Sequence, residues 1–262
     1  MLGLGLNLDK TKLLATNYQT KIINRNPVFY VDATDSPNNL SGTDIISINS
    51  LTGSLQATQS SASNRGQLQN WGDYKMMNFN PNSTGQHQYL EIDTGLNTTF
   101  IGSWSISFVY FPQDPGKAGN FGVFGSLNAT DGVRIWQTSA GALYLAYRAN
   151  SSLVRWQSSG QVFPSARMNP ALITFTFDNT IQGAEGIKCY LDGVELSNNG
   201  VYTGDTTGFD ASAYSSSDKM FIAGTNETTD TFIRSAYGAV IIDGKVISAE
   251  EIDDMYQLYI AP

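Results

Sequence analysis

Five aromatic and basic side chains between residues 131 and 156 have the types and spacing of a sugar-binding surface. Alternation along this stretch directs Val133 and Ile135 to one side and leaves the five on the other. The five are Arg134, Trp136, Tyr144, Arg148 and Arg155. Aromatic rings stack on sugar faces and guanidinium groups hydrogen-bond hydroxyls or carboxylates, so this set forms a candidate glycan platform. The alternative is that loops or a neighbouring subunit cover this face.

The chain offers few residues for nucleophilic catalysis or metal binding. His87 is the single histidine and Cys189 the single cysteine, so a His/Cys zinc site lacks ligands and a histidine-based triad would depend on His87 alone. We interpret His87 as a surface loop residue. Five acidic residues fall in loops of the kind that bind calcium in many proteins: Asp131, Asp178, Glu185, Glu227 and Asp230. Their spacing fixes no site, so we expect no metal site and no cofactor, with calcium left open.

Composition and charge narrow the classes of partner. Of the 262 residues, 41% are hydrophobic and 15% are charged, and the formal net charge is -8. Such an acidic chain lacks the basic surface that nucleic acid or an anionic membrane requires, so neither is an expected partner. No apolar run reaches transmembrane length, and the first residues lack the pattern of a signal peptide. We therefore expect synthesis and folding in a cytoplasm.

The elements that must position the platform are strands, and the clearest of them form a hairpin in GIKCYLDGVEL. Its centre, Asp192-Gly193, is a preferred dipeptide of two-residue hairpin turns, which sets Leu191 opposite Val194 on an apolar face. Cys189 falls on the same face, which predicts a buried and unreactive thiol. Similar alternating runs recur from about residue 89 onward, with turn residues between them. The series predicts an all-β sandwich or jelly roll.

One helix signal lies at the C-terminus, in KVISAEEIDDMYQLY. Ser248 and Glu251 have the spacing of a capping box, and Ile247 with Ile252 has that of a hydrophobic staple. Apolar residues then repeat at helical spacing along one side. We expect a short C-terminal helix that lies on the sandwich.

Several stretches, in this order, resemble the concanavalin A-like, laminin G-type jelly roll. They are QYLEID, SWSISFVYF, ALITFTFDNTIQGAEGIKCYLDGVEL, MFIAGTN and SAYGAVIIDGKVISAEEIDDMY. The upstream stretch VFYVDATDSPNNLSG resembles the opening strand of a subset common in bacteriophage particle proteins and bacterial surface proteins. The resemblance implies a jelly-roll domain over residues 27–262, preceded by an N-terminal arm of residues 1–26.

Some jelly rolls of this kind are glycanases, and the resemblance provides a test for their carboxylates. Those enzymes have an E-x-D-x-x-E strand, in which one carboxylate attacks the sugar and another protonates the leaving oxygen. Glu91 and Asp93 match the start of the pattern, but Leu96 replaces the second glutamate. We therefore expect a non-enzymatic protein in which Glu91 and Asp93 are exposed strand residues.

The leading hypothesis is a bacteriophage virion structural protein, either a capsid decoration or a tail appendage. Its arm holds Leu2, Leu4, Leu6 and Leu8 in alternation, which predicts that the arm adds a strand or an amphipathic segment to a neighbouring copy or to another virion protein. A homo-oligomer located in the virion follows from this hypothesis. The alternative is a carbohydrate-binding module or lectin that recognises cell-surface glycans.

Overall fold

A computed structural model provides the structure of the protein. It describes residues 10–261 except for 72–73, 80–86, 93, 113–119, 129, 139, 164–169, 182, 198–208, 217 and 225–234. The described residues contain helix α1 (Lys10–Asn24), helix α2 (Ala249–Tyr259) and strands β1 (Phe29–Asp32), β2 (Asn38–Ser41), β3 (Asp44–Asn49), β4 (Gln56–Thr58), β5 (Gln67–Trp71), β6 (Tyr74–Phe79), β7 (Leu90–Ile92), β8 (Trp104–Pro112), β9 (Asn120–Leu127), β10 (Gly132–Thr138), β11 (Leu143–Ala149), β12 (Ser152–Gln157), β13 (Ala171–Phe177), β14 (Ile187–Leu191), β15 (Val194–Glu195), β16 (Met220–Ile222) and β17 (Ser235–Asp243).

The strands pair antiparallel in two layers. The layer that we call the front sheet has the order β12-β11-β10-β9-β16-β7-β4-β3-β2. The layer that we call the back sheet has the order β15-β14-β13-β8-β17, and both β1 and β6 pair with the far edge of β17. Strand β5 extends the back sheet beyond β6 and makes one bridge to β3 at the junction of the layers. The chain is thus an antiparallel β-sandwich of the jelly-roll class with a short C-terminal helix, as the sequence predicts.

Aromatic side chains join the inner faces of the two sheets. The ring centroids of Trp104 in the back sheet and Tyr147 in the front sheet are 5.6 Å apart. Those of Trp156 in the front sheet and Phe175 in the back sheet are 5.5 Å apart. All four side chains are buried. Each fully buried side chain of this size contributes roughly 1.5–3 kcal/mol to the free energy of unfolding.

The hairpin forms with the expected turn, since Asp192 has φ +51° and Gly193 has φ +82°. Leu191 opposes Val194 in the register, and Cys189 is fully buried in the core, which confirms its predicted position. Burial raises the pKa of the Cys189 thiol well above its usual value. Val194 is nevertheless 68% exposed, because β15 is a two-residue strand at the edge of the sheet and lies beyond its apolar cover.

Helix α2 begins with both halves of the predicted capping box. The Ser248 hydroxyl accepts a hydrogen bond from the backbone N–H of Glu251, and the Glu251 carboxylate accepts one from the backbone N–H of Ser248. Ile252 and Met255 of the helix are buried with Ile241 against the outward side of the back sheet. The amphipathic stripe read from the sequence therefore covers one outer surface of the sandwich.

Helix α1 was not expected. Its last turns pack against α2 and the back sheet, with Ile22 fully buried. The Arg25 guanidinium, one residue beyond the helix, forms a bidentate ion pair with Asp243 at 2.9 and 3.0 Å. Neither helix of the described residues is long and apolar enough to cross a membrane.

These contacts give part of the predicted arm, residues 1–26, a place on its own sandwich. The outward apolar surface of the back sheet provides that place, so the second half of the arm packs on its own chain. The four alternating leucines at positions 2 to 8 lie outside the described residues. Attachment to a neighbouring copy and the homo-oligomer stay predictions.

Candidate functional site

The outward side of the front sheet, which we call the front face, carries the predicted platform. The opposite outer surface, the back face, lies under α1 and α2. No helix of the described residues packs on the front face in the same way. Several outward side chains of the front face, among them Trp136, Tyr144 and Arg155, are partly or fully exposed.

Strand register places a continuous row of side chains across the front face. Residues directly opposite each other in antiparallel strands point to the same side. Starting from β7, the row contains Glu91, Phe221, Gly125, Arg134, Ala146 and Arg155. Bulky and small residues alternate along its last five members, which gives the surface relief.

A rigid aromatic stack stands beside this row. Trp136 and Tyr144 are directly opposed on β10 and β11, with ring centroids 5.0 Å apart and an interplanar angle of 19°. The Arg134 guanidinium lies 4.8 Å from the centroid of the Trp136 ring, close enough for a cation–π interaction. Both rings remain partly exposed. The stack is therefore held in place before any ligand arrives.

The three predicted arginines have different surroundings. Arg134 is only 9% exposed, whereas Arg155 on β12 is exposed. Arg148 shares the face, but its guanidinium donates to the backbone carbonyl of Asn128, in the loop between β9 and β10. The structure thus brings all five predicted residues to one face. Arg148 is hydrogen-bonded to a loop, whereas the Arg155 side chain is exposed to solvent.

Two further aromatic residues on the front face were missed by the sequence analysis. Phe221 lies opposite Gly125, two strands from Arg134, and its ring meets that of Tyr89 edge-on at a centroid distance of 5.4 Å. Both side chains are partly exposed. A signal was present in MFIAG, where Met220 and Ile222 point inward and the residue between them must point outward.

The glycanase carboxylates do not assemble in the described residues. Glu91 is partly exposed and forms an ion pair with Lys219 at 2.6 Å. Leu96, at the position where those enzymes have a second glutamate, is fully buried in the core. Asp93 lies outside the described residues. A carboxylate at position 96 would face the core instead of the front face.

Two of the loop acids considered for calcium serve local structure. Asp131 is buried and accepts hydrogen bonds from the backbone N–H groups of Asn150 and Ser215, each at 3.1 Å. The hydroxyl and backbone N–H of Thr180 hold the pKa of the Asp178 carboxyl below its usual value. Within the described part of the chain, no three His, Cys, Asp or Glu residues come together as a metal site.

Two further residues singled out for metal or catalytic chemistry lie at the surface. Glu185 and His87 are exposed, in agreement with the interpretation of His87 as a surface loop residue. Glu227 and Asp230 lie outside the described residues.

No protein-family model matches the sequence, and no curated protein matches it. The fold is similar to that of several solved structures. One is described as the crystal structure of a receptor binding domain, with a TM-score of 0.62, 13% identity, and coverage of 92% of this chain and 52% of that chain. Another is the binding domain of botulinum neurotoxin DC in complex with rat synaptotagmin II, with a TM-score of 0.58, 12% identity, and coverage of 90% and 52%.

A third is a Trypanosoma rangeli sialidase in complex with a difluoro-KDN compound, with a TM-score of 0.58, 9% identity, and coverage of 95% of this chain and 38% of that chain. The chain therefore spans about half the length of the two binding-domain structures and less of the sialidase. At these identities the likeness concerns the fold. The protein has a β-sandwich fold that also occurs in receptor-binding domains and within a sialidase chain.

Proposed function

We propose that the protein is a non-catalytic glycan-binding module whose ligand lies on the front face. The observation that carries this proposal is the Trp136–Tyr144 stack, held beside Arg134 and next to the exposed Arg155. The exposed parts of the two rings offer apolar surface against which a sugar can pack, and the guanidinium groups supply directional hydrogen bonds. This is the arrangement of a shallow sugar site.

The charge of the face favours an acidic sugar. Arg134, Arg148 and Arg155 occupy neighbouring strands in a chain whose net charge is -8. The carboxylate of the same row, on Glu91, lies across Phe221 and Gly125 from Arg134 and is paired with Lys219. A glycan that carries carboxylate or sulfate groups matches this local excess of positive charge.

A binding role without catalysis agrees with the carboxylate geometry. Retaining glycoside hydrolysis needs two carboxyl groups flanking one sugar bond. Glu91 is engaged by Lys219, and position 96 holds a buried leucine. The similar structures that are named as binding domains support the same role, on the level of fold.

The finer classification rests on sequence motifs. Membership of the concanavalin A-like, laminin G-type group and a place in a bacteriophage virion are proposals that the quoted stretches motivate. A glycan-binding face is compatible with a tail appendage, because such a part contacts the cell surface. Localisation in the virion and homo-oligomer formation belong to the same proposal.

A glycan array tests the proposed function. Wild-type protein, Trp136→Ala and Trp71→Ala are compared on an array that includes neutral, carboxylated and sulfated glycans. Trp71 is a matched control, because it is also partly exposed and paired with another ring, that of Phe111 at 4.7 Å, but belongs to the back sheet. We expect saturable binding by wild type and Trp71→Ala, preferentially to acidic glycans, and loss of binding by Trp136→Ala.

Melting temperatures of the three proteins establish that each is folded. Absence of binding by folded wild-type protein to every glycan overturns the proposal. Equal binding by wild type and Trp136→Ala also overturns it, since the ligand would then lie elsewhere. A preference for neutral glycans contradicts the charge argument alone.

A further inference from the structure

We infer that a cavity beside the end of helix α2 binds a small zwitterion, a free α-amino acid, through its ammonium and carboxylate groups. The cavity has a volume of about 340 Å³. This volume is at the lower end of the range for ligand sites, so the cavity suits a single small metabolite. It lies on the opposite side of the sandwich from the glycan platform, so it is independent of the proposed function.

The cavity forms because two strands share one edge of β17. Strand β1 pairs with residues 239–242 of β17, and β6 pairs with residues 235–237. Gly238, between the two stretches, lies at a bulge where the register with β8 shifts. Bulges are frequent beside functional sites, because they end strand pairing and redirect side chains. The junction leaves a notch on the outward side of the back sheet, lined by Gly238 and Val109.

The walls of the notch come from the end of β1 with the turn after it, the start of β6 and the end of α2. All but one of the wall residues are exposed or partly exposed, so the notch opens to solvent. The exception, Asp32, is 4% exposed and therefore lies away from the mouth. The wall residues are Asp32, Thr34, Asp35, Tyr74, Lys75, Leu258 and Tyr259.

Asp32 is a buried carboxylate with neutral hydrogen-bond donors. Its Oδ1 accepts from the backbone N–H groups of Thr34 and Asp35 at 2.7 and 3.2 Å, and its Oδ2 accepts from the Tyr259 hydroxyl at 2.7 Å. Among the described residues, no lysine or arginine forms an ion pair with Asp32 or Asp35. Burial raises the pKa of Asp32, so its ionised form is not fully compensated for lost hydration. Buried carboxylates are normally paired with a cation, and a ligand ammonium in the notch supplies that charge.

Lys75 provides a charge of the opposite sign in the same notch. Its ammonium makes no ion pair or hydrogen bond with the residues that the structure describes, so it does not neutralise the two carboxylates. A ligand with an ammonium beside Asp32 and Asp35 and a carboxylate beside Lys75 neutralises both ends of the notch. An α-amino acid carries both groups, and Val109 and Leu258 offer apolar surface to its side chain.

The test is isothermal titration calorimetry of the full chain with each of the common free amino acids. The amino acid that binds best is then compared with its N-acetyl derivative, which lacks the ammonium, and with its amide, which lacks the carboxylate. We expect saturable binding of the free amino acid. The dissociation constants of both derivatives should be at least about tenfold higher, because each derivative loses one charge-assisted contact.

Four variants locate the site. Lys75→Met retains the aliphatic stem without the charge, so it should weaken binding of the free amino acid about tenfold and leave the affinity for the amide unchanged. Asp35→Asn should weaken binding of the free amino acid and leave the affinity for the N-acetyl derivative unchanged. Lys188→Met removes an exposed lysine elsewhere on the back sheet, and Trp136→Ala alters the front face. Both controls should bind as wild type does.

The outcomes separate this inference from the glycan proposal. Absence of saturable binding of every amino acid by folded wild-type protein overturns the inference and leaves the front face unaffected. Equal affinities for the free amino acid and its two derivatives also overturn it, because the ligand charges would then not be recognised. Binding that is the same in wild type, Lys75→Met and Asp35→Asn places the ligand elsewhere and overturns the site. Thermal melting identifies a variant that does not fold, and the other charge variant then tests the notch independently.

Discussion

The two outer faces of the sandwich are built by the same kind of alternating strand, yet one lies under two helices and the other keeps several polar and aromatic side chains partly or fully exposed. On the back sheet, all seven residues of β13 are buried, because α1 and α2 lie over its outward side. On the front sheet, β11 keeps the alternation visible, with Tyr144 and Arg148 partly exposed between buried neighbours. The difference lies in what the outward positions contain.

Outward residues of the back sheet are apolar or small and cannot face water together. Leu172, Val109 and Ile241 form a second apolar cluster with the helices. The hydroxyls of Ser107 and Thr174, also outward and buried, lie 3.0 Å apart and satisfy each other. A sheet with two apolar faces needs cover on both sides, whereas a sheet whose outward face holds arginines and glycines does not. Ligand binding is therefore expected where the fold itself does not require cover.

Removing helix α2 from the back face should have the largest effect on stability. Deletion of residues 248–262 eliminates Ile252 and Met255 and exposes the apolar back face beneath them. Each lost large side chain contributes roughly 1.5–3 kcal/mol to the free energy of unfolding, which totals only about 5–15 kcal/mol for a domain. We expect insoluble protein, or protein without a cooperative thermal transition by circular dichroism. Deletion of residues 261–262 is the control, and a soluble 248–262 deletion with an unchanged melting temperature would contradict the assignment.

Breaking the ion pair between Arg25 and Asp243 should have the next largest effect on stability. Arg25→Ala leaves the Asp243 carboxylate, whose side chain is 2% exposed, without its bidentate partner. A charge stranded in this way typically costs about 3–5 kcal/mol. Lys21→Ala breaks the neighbouring ion pair with Asp254, in which the lysine is 44% exposed, and should change the free energy of unfolding much less, because solvent screens an exposed pair. Urea denaturation at neutral pH measures both, and equal losses would refute the distinction between buried and exposed pairs.

The Arg25→Ala deficit should depend on pH. Burial raises the pKa of Asp243 above its usual value, and Arg25 opposes part of that rise. At pH values between the usual and the raised pKa of Asp243, the carboxyl of the Arg25→Ala variant is protonated in the folded state and ionised in the unfolded chain. Stability of the variant therefore falls as pH rises through that window. We expect a smaller deficit in urea titrations at acidic pH than at neutral pH.

Removing the Tyr259 hydroxyl, which hydrogen-bonds the end of α2 to β1, should destabilise the fold less. Tyr259 donates to Oδ2 of Asp32 at 2.7 Å and, since its proton is used there, accepts from the hydroxyl of Tyr30 at 2.5 Å. Tyr259→Phe leaves a buried carboxylate short of one donor, which costs about 1–3 kcal/mol. Tyr256→Phe, on the same helix, is the matched control. Identical urea midpoints for the two variants would show that this hydrogen bond adds nothing to stability.

The sequence predicted those turns and helix ends whose conformation is determined by residues next to each other in the chain. Asp192 and Gly193 define their own turn, and Ser248 with Glu251 defines its own cap, so both appear in the structure as expected. Helix α1 could not be found in this way, because it has no acidic first turn and its position depends on contacts with α2 far along the chain. Deletion of residues 1–26 should destabilise the fold, because it removes the packing of Ile22 and the ion pair of Arg25 with Asp243.

The candidate site shows the same limit. Alternation within one stretch found Arg134, Trp136 and Tyr144, since β10 and β11 are consecutive and pair directly. Phe221 and Tyr89 come from distant parts of the chain and reach the front face through the pairings of β16 with β7 and β9. Strand order across the sheet is set by tertiary packing, which one sequence does not reveal.

The smallest effect on stability is expected on the front face. Arg155 is exposed, and its aliphatic stem lies in the same row as Ala146, which is 1% exposed. Arg155→Ala removes a solvated charge at an exposed position, so the free energy of unfolding should change by no more than about 0.5 kcal/mol. Binding to acidic glycans should weaken and become less sensitive to salt, because one exposed cation is lost. Arg155→Lys keeps the charge and should retain the salt dependence. A loss of stability comparable to that of Arg25→Ala would show that the front face, like the back face, is part of a buried surface.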